Sequence, residues 1–467
     1  MIPPWAMAMV AGGGVRQRNQ GNTPVVVIPS GDSGGRLVNR RTMNWRSVGW
    51  SSLAGVLSCP GLAFPAQAAA QDMPDHRSGP ETVENRVRPG MEGTGYTLGS
   101  LRIMPSVAFG GIATDDLYAR RDPRVADVGG SLIPRVEVQS RWDRHALDIT
   151  LDGQFDRYAI HGAEGTDRYG AAASGRIDFA RDTQATLNAS FARRIETRGT
   201  TGDTLFGISP IAFTQLTLGG QIEQALGQTR ITLDAHYDGF HYYNRRNGDE
   251  TIDLSGRDFT NIVAGGRAVH PVSPAVGLFL SAHYNITRYP HESATQATRR
   301  SQGYTVMAGL AFGRQRLLEG ELAFGYQHQH FASPRYPTIA GFAYAAALHW
   351  HATPLTTISL LAGKTIQRSP IMDVAGIEAH DFSLGAAHEL LRRVILRPSV
   401  SYSINRYRGG NRIDHYANGG LSATWQAAPH FSVEASVLHR LGRTSAIPAK
   451  PREYNQNRAT ITLKYVF

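Results

Sequence analysis

The chain has 467 residues, of which 50 are Gly and only 18% are charged, with a formal net charge of +10. Apart from one N-terminal stretch, no apolar run approaches the roughly 18–20 residues of a membrane helix, which excludes a polytopic helical membrane protein; a β-barrel stays open, because its strands hide their hydrophobicity by alternation. Half of the charge, +5 (six Arg against Asp32), lies in residues 1–70, and no dense Lys/Arg tract is present, which argues against a nucleic-acid partner.

Residues 1–42 read as a start-site overrun or an extended leader, with Met43 as a fitting start. The stretch 43–70 then has the form of a signal peptide. Arg40, Arg41 and Arg46 precede the apolar "SVGWSSLAGVLSCPGLAFPAQAAAQD", and the small residues allow a cut after Ala68 or Ala70. Pro60 and Pro65 oppose the alternative of an apolar core helix. The single cysteine, Cys59, lies in this stretch, so the exported chain needs no disulfide and has no thiol chemistry. Residues 71–97 are polar with Gly and Pro and read as a mobile periplasmic leader.

From about Leu98 to Phe467 one theme repeats. In "HALDITLDGQFDRYA", Leu147, Ile149, Leu151 and Phe155 fall on one face, with Asp148, Thr150, Asp152, Gln154 and Asp156 on the other. Period two over such lengths predicts strands with one apolar and one wet face. About eighteen segments, with 16–20 as the range, fit this pattern: 98–113, 126–141, 145–158, 167–180, 183–195, 210–224, 229–243, 257–270, 274–289, 302–313, 318–330, 338–351, 355–368, 379–390, 393–407, 413–427, 430–442 and 454–467. Every second break is short, such as "RWDRH" or "LLRR"; the others are mostly longer. Short periplasmic turns opposite longer extracellular loops predict an all-β, transmembrane, antiparallel up-and-down barrel spanning 98–467. A soluble sandwich would not sort its turns by length. Trp142, Trp350 and Trp425 each stand just before a short turn, which places them at the periplasmic interface. Tyr118, Tyr158, Tyr242, Tyr243, Tyr289, Tyr326 and Tyr407 cluster toward the long loops, as a second belt would.

In hydrocarbon every backbone polar group must be paired, so the last strand must close on the first. In "NRATITLKYVF", Ala459, Ile461, Leu463, Tyr465 and Phe467 would face lipid, and Thr460, Thr462 and Lys464 the lumen. A terminal Phe467 behind Tyr465, Leu463 and Ile461 resembles the signal by which the barrel-assembly machinery recognises its substrates. The stretch "GSLRIMPSVAFGGIATDDLYAR", followed by "PRVEVQSRWDRHALDITLDGQFDRY", resembles the putative beta-barrel porin-2 family of outer-membrane proteins, with Asp115-Asp116 where that family commonly has Asp-Asn. The similarity would span about 88–467. Some relatives are similar to EpsL-type proteins of exopolysaccharide operons, which implies a glycan or its secretion proteins as partners.

Signs of chemistry are few. His328 and His330 share one face, as do His349 and His351, but topology puts the two pairs at opposite rims, too far apart for one ion. No G-x-S-x-G elbow, P-loop, dinucleotide fingerprint or H-E-x-x-H occurs. No enzyme and no cofactor is expected, with an outer-membrane hydrolase as a distant alternative. The predicted wet face offers Arg135, Glu137, Asp148, Asp152, Asp156, Arg176, Asp178, Asp234, Asp238, Glu321, Arg397, Glu434 and Lys464, with the early strands acidic. Mixed charge on that face fits a water-filled pore; paired into a network, the same charges would block it. Arg120, Arg121, Arg124, Arg198, Arg245, Arg246, Arg299, Arg300, Arg408, Arg412 and Arg452 crowd the long-loop ends, where lipopolysaccharide phosphates or an acidic glycan would meet them. The expectation is an exported outer-membrane barrel passing small hydrophilic solutes or a polysaccharide. Its alternative is an accessory barrel of exopolysaccharide secretion, closed without partners.

Overall fold

The computed structural model describes Val83 and residues 95–204, 209–247, 249–292, 297–313, 317–371, 374–445 and 453–467. The expected leader at 1–42, and the signal peptide at 43–70 with Ala68 and Ala70, lie outside the described residues.

Eighteen long strands run in sequence. They are β1 (Leu101–Thr114), β2 (Asp127–Ser140), β3 (Ala146–Tyr158), β4 (Thr166–Ala180), β5 (Thr183–Ile195) and β6 (Ala212–Leu226). Then come β7 (Thr229–Tyr242), β8 (Phe259–Pro271), β9 (Val276–Arg288), β10 (Ser301–Phe312), β11 (Leu318–Phe331) and β12 (Ile339–Thr353). The last six are β13 (Thr356–Gln367), β14 (Gly376–Leu391), β15 (Val394–Arg408), β16 (Ile413–Ala428), β17 (Phe431–Thr444) and β18 (Tyr454–Val466). Each pairs antiparallel with its sequence neighbours, and β18 pairs with β1 from Ser106↔Val466 to Thr114↔Arg458. The ring is therefore closed and has no free edge in its wall, as a strand structure in hydrocarbon requires. The strand ends fall within three residues of those expected from alternation.

Closure at the chain end is specific. The Phe467 amide donates to the Pro105 carbonyl at 3.0 Å, and the Phe467 carbonyl accepts from Gly95 N–H at 3.2 Å. Below the last β18 residue, the exposed edge of β1 is taken over by a short strand, Tyr96–Leu98, which pairs with Leu101–Ile103. Gly99 turns this hairpin at φ +59°, a conformation glycine adopts without steric cost.

Alternation sorts the two faces. Ile461, Leu463, Tyr465 and Phe467 are exposed on the outside, and cross-strand partners such as Phe109 and Leu132 continue that apolar surface. The connections at one end of the barrel are short: 141–145, 181–182, 227–228, 272–275, 313–317, 354–355, 392–393 and 429–430. This is the turn end. At the other, the loop end, they include 115–126, 196–211, 243–258 and 289–300. Sorting by length is incomplete, because 409–412 at the loop end is as short as a turn. The 243–258 loop carries its own small hairpin, Arg245–Asn247 with Glu250–Ile252.

Candidate functional site: the inner wall and the loop end

Each of the thirteen wet-face residues keeps the parity opposite to the exposed apolar residues of its own strand, so all thirteen point inward. Many are paired. Arg135 Nε meets Glu137 Oε1 at 2.6 Å, and Arg176 meets Asp178 at 3.3 Å. Asp156 accepts from Ser131 at 2.5 Å and from Arg168 Nη2 at 2.6 Å. Asp234 lies 3.1 Å from His283 Nε2, and Asp238 accepts from Thr217 at 2.7 Å. Glu321 takes both Nη groups of Arg267, at 2.9 and 2.6 Å. Arg397 donates to Thr424, whose hydroxyl donates to Glu434 at 3.2 Å. Lys464 lies in the field of Glu137, Arg135 and Glu434. Asp152 is exposed to the lumen, and Asp148 is half-buried. Arg168 and Arg267 share this inward parity and were not singled out in the sequence. With Arg168 counted, the early strands are less acidic inside than expected.

Some inward positions are apolar. Phe213, Phe240 and Phe259 sit on the wet-face parity of β6, β7 and β8, yet are buried together with Tyr289. Phe240 stacks on Phe259 at 4.3 Å, Arg368 lies over Phe259 at 3.9 Å, and Arg299 over Tyr289 at 4.3 Å. Something must cover them, and the loops do.

The described part of 196–211 folds into the barrel and reaches the far wall. Asn405 Nδ2, on β15, donates to Thr201 Oγ1 at 3.1 Å, and Arg440 Nη2, on β17, donates to the Arg198 carbonyl at 3.1 Å. The segment leaves β5 and returns at β6, nine strands round the ring from β15, so it spans the lumen. Gly199 allows the close approach. At φ +75°, a Cβ there would lie 2.6 Å from the Tyr454 ring and 2.7 Å from Ala119.

Arg198 is the centre of this crossing. Its side chain is nine-tenths buried, with Nε and Nη2 on Glu164 at 3.0 and 2.7 Å and Nη1 on Asp203 at 3.2 Å. Burial works against its charge, but the hydrogen bonds and charges of Glu164 and Asp203 win, and its pKa is raised. Asp203 Oδ2 in turn accepts from Gly199 N–H at 3.0 Å. Arg257, from the next loop, donates to the Gly202 carbonyl at 3.2 Å and to Thr204. On the receiving wall, Asp414 accepts from Tyr407 at 2.9 Å, Arg412 Nε at 2.8 Å and Thr444 at 2.6 Å. In the first loop Asp116 is fully buried. Its Oδ2 accepts from Arg120 N–H at 2.9 Å, while Oδ1 has no partner among the described residues. Burial pushes its carboxyl up to about 6.

Arg198, Arg299 and Arg412 do not project toward solvent; they are drawn inward by Glu164, by the Ser369 carbonyl and by Asp414. Tyr242, Tyr289 and Tyr407 likewise turn inward instead of joining an outer belt. Arg121, Arg124 and Arg300 make exposed pairs with Glu453, Asp115 and Glu292. Arg452 lies outside the described residues. The 71–97 stretch is not wholly detached from the barrel, because Val83 is buried against the inward Ala387 and Ile395 near the turn end.

His328 and His330 lie on the outward face near the loop end, where His328 stacks on Tyr304 at 5.3 Å. At the turn end, His349 meets Ser359 at 2.9 Å and His351 meets Glu319 at 3.1 Å. No group of three metal-ligating side chains occurs among the described residues. Trp142, Trp350 and Trp425 are exposed at the turn end, and Trp142 Nε1 donates to Ser100 at 2.9 Å.

Solved structures with a similar fold include the siderophore receptor PirA from Acinetobacter baumannii, at 8% identity and TM-score 0.45, covering 78% of this chain and 80% of that one. OpdL of Pseudomonas aeruginosa matches at 11% identity and TM-score 0.41, covering 79% of this chain and 99% of that one. No curated protein matches the sequence. The family model described as Putative beta-barrel porin 2 matches residues 88–467, the whole of the ring and its closing strand, and the chain belongs to that family of porin-like outer-membrane β-barrels.

Proposed function

We propose that the protein is a passive outer-membrane channel for small hydrophilic solutes, with its extracellular mouth narrowed by the 196–211 segment. The observation that carries this is the inward, hydrogen-bonded mixed charge on β2, β3, β4, β7, β11, β15, β17 and β18. A wall of that kind favours water and small polar solutes inside a ring of about 16–18 strands. The paired charges neutralise one another locally, which fits weak selectivity between anions and cations. Purified protein in planar bilayers tests the proposal: stepwise conductance with a cation/anion ratio near one is expected, and the absence of steps rejects an open channel.

One observation favours a second function. Residues 198–201 are hydrogen-bonded across the lumen, which suits an accessory barrel of exopolysaccharide secretion that opens only with its partner. In that case purified protein is silent and deletion of the gene lowers secreted polysaccharide. Stepwise conductance with unchanged secretion rejects it. Exported delivery and recognition of Ile461, Leu463, Tyr465 and Phe467 by the assembly machinery belong to both proposals.

A further inference from the structure

The outward face of the barrel near the loop end carries a cluster of charge. Glu378 on β14 is buried beneath Lys364 of β13 and Arg408 of β15, whose Nε donates to Glu378 Oε2 at 2.7 Å. Arg406 stands opposite Glu378 in the register and is exposed. Among the described residues, no carboxylate lies within ion-pair distance of Arg406. These side chains share the parity of the exposed Phe382 and Leu384 on β14 and Val400 and Tyr402 on β15, so they face the membrane and not the lumen. Three cations around one carboxylate leave two uncompensated positive charges there.

Depth gives the cluster its meaning. Two outward positions toward the barrel middle from Glu378 and Arg406 lie Phe382, stacked on Tyr344 at 6.2 Å, and Tyr402, bonded to His415 at 2.8 Å. Such amphipathic rings mark the boundary between hydrocarbon and headgroups. Arg406 and Arg408 lie two and three outward positions beyond Tyr402 toward the loop end, on the headgroup side of these rings. A pocket of about 470 Å³ opens beside them, bordered by Pro337, Thr338, Arg406, Arg408, Asn411 and Arg412. Arg412 is committed to Asp414, which leaves Arg406 and Arg408 to meet an occupant. Guanidinium pairs match the geometry of phosphate oxygens.

We propose, resting on the outer-membrane location above, that Lys364, Arg406 and Arg408 seat the phosphate of an outer-leaflet lipid headgroup. Glu378 holds Lys364 and Arg408 in place, and Arg406 supplies the free donor. The test uses full-length protein folded in detergent micelles, with folding checked by heat-shifted gel mobility, and bisphosphorylated lipid A as the probe. Saturable binding is expected, weakened about tenfold by Arg406→Ala, the loss typical of one charge-assisted hydrogen bond. The inward control Arg135→Ala should leave it unchanged. Dephosphorylated lipid A should not bind, and millimolar inorganic phosphate should not displace the lipid. Equal affinity of the Arg406→Ala variant overturns the proposal, as does displacement by inorganic phosphate, which would mark a site for the free ion. Vesicle insertion is measured in parallel. Failure to insert rejects the membrane location, whereas insertion with equal binding of both lipid A forms rejects the seat alone.

Discussion

Replacing Arg198 with Ala should release the segment that crosses the lumen. The guanidinium is nine-tenths buried and holds both Glu164 and Asp203, so its removal strands two buried carboxylates. Removing one partner of a buried ion pair costs roughly 3–5 kcal/mol. At about 1.4 kcal/mol per tenfold, the lower figure shifts the balance between docked and released segment by about 100-fold. A cysteine at Thr201, which is buried against Asn405, reports the release. In a Cys59→Ser background, with the folded barrel in vesicles, the rate of labelling by a charged maleimide should rise about 100-fold when Arg198→Ala is added. Arg198→Lys, which keeps the charge but loses the fork, should fall between. Unchanged labelling in a barrel that still shows heat-shifted mobility would refute a docked segment held by Arg198.

The buried Asp116 predicts a pH effect. Its folded-state value of about 6 lies above the ordinary 3.8, so the packed loop binds the proton more tightly than the released one. Stability of the packed state is then full below about pH 4 and is lost as pH rises toward 6; Thr201→Cys labelling, divided at each pH by that of the unfolded chain to remove the thiol's own ionisation, should quicken over that window, and Asp116→Asn should flatten this corrected slope. Gly199→Ala should speed the same labelling at every pH, because the added Cβ meets Tyr454 and Ala119 and φ is positive; an unchanged rate would mean the contact is not tight. Arg267→Met alone should lower the thermal midpoint, because the buried Glu321 loses both of its Arg267 hydrogen bonds, whereas Arg267→Met with Glu321→Leu should recover most of the loss. Deleting Phe467 should cut the amount of inserted barrel in cells while leaving the conductance of each inserted channel alone; normal insertion would remove its role in assembly.

The strands were legible because side-chain period two is a local property. Leu147 to Asp156 shows both faces of β3 without any knowledge of its partners, and "NRATITLKYVF" shows the same for β18. The number of strands and the closing of last on first follow from that pattern plus the requirement that backbone groups be paired in lipid. The inward position of Asp234, Glu321 or Arg397 needs only parity. Even the aromatic patch left a trace, since Phe240 breaks the polar series of Asp234, His236 and Asp238.

Contacts across the lumen have no such local sign. Thr201 meets a residue 204 positions away, and the Arg198 carbonyl meets one 242 away. Arg198 and Arg121 are both loop arginines in sequence, yet one is locked between two buried carboxylates and the other is exposed to solvent. Alternation decides which way a strand residue points. Only the closed ring brings β5 and β6 opposite β15 and β17, at a distance one loop can bridge, and so decides which loop residues are buried, which charges are paired, and which cations are left facing the membrane.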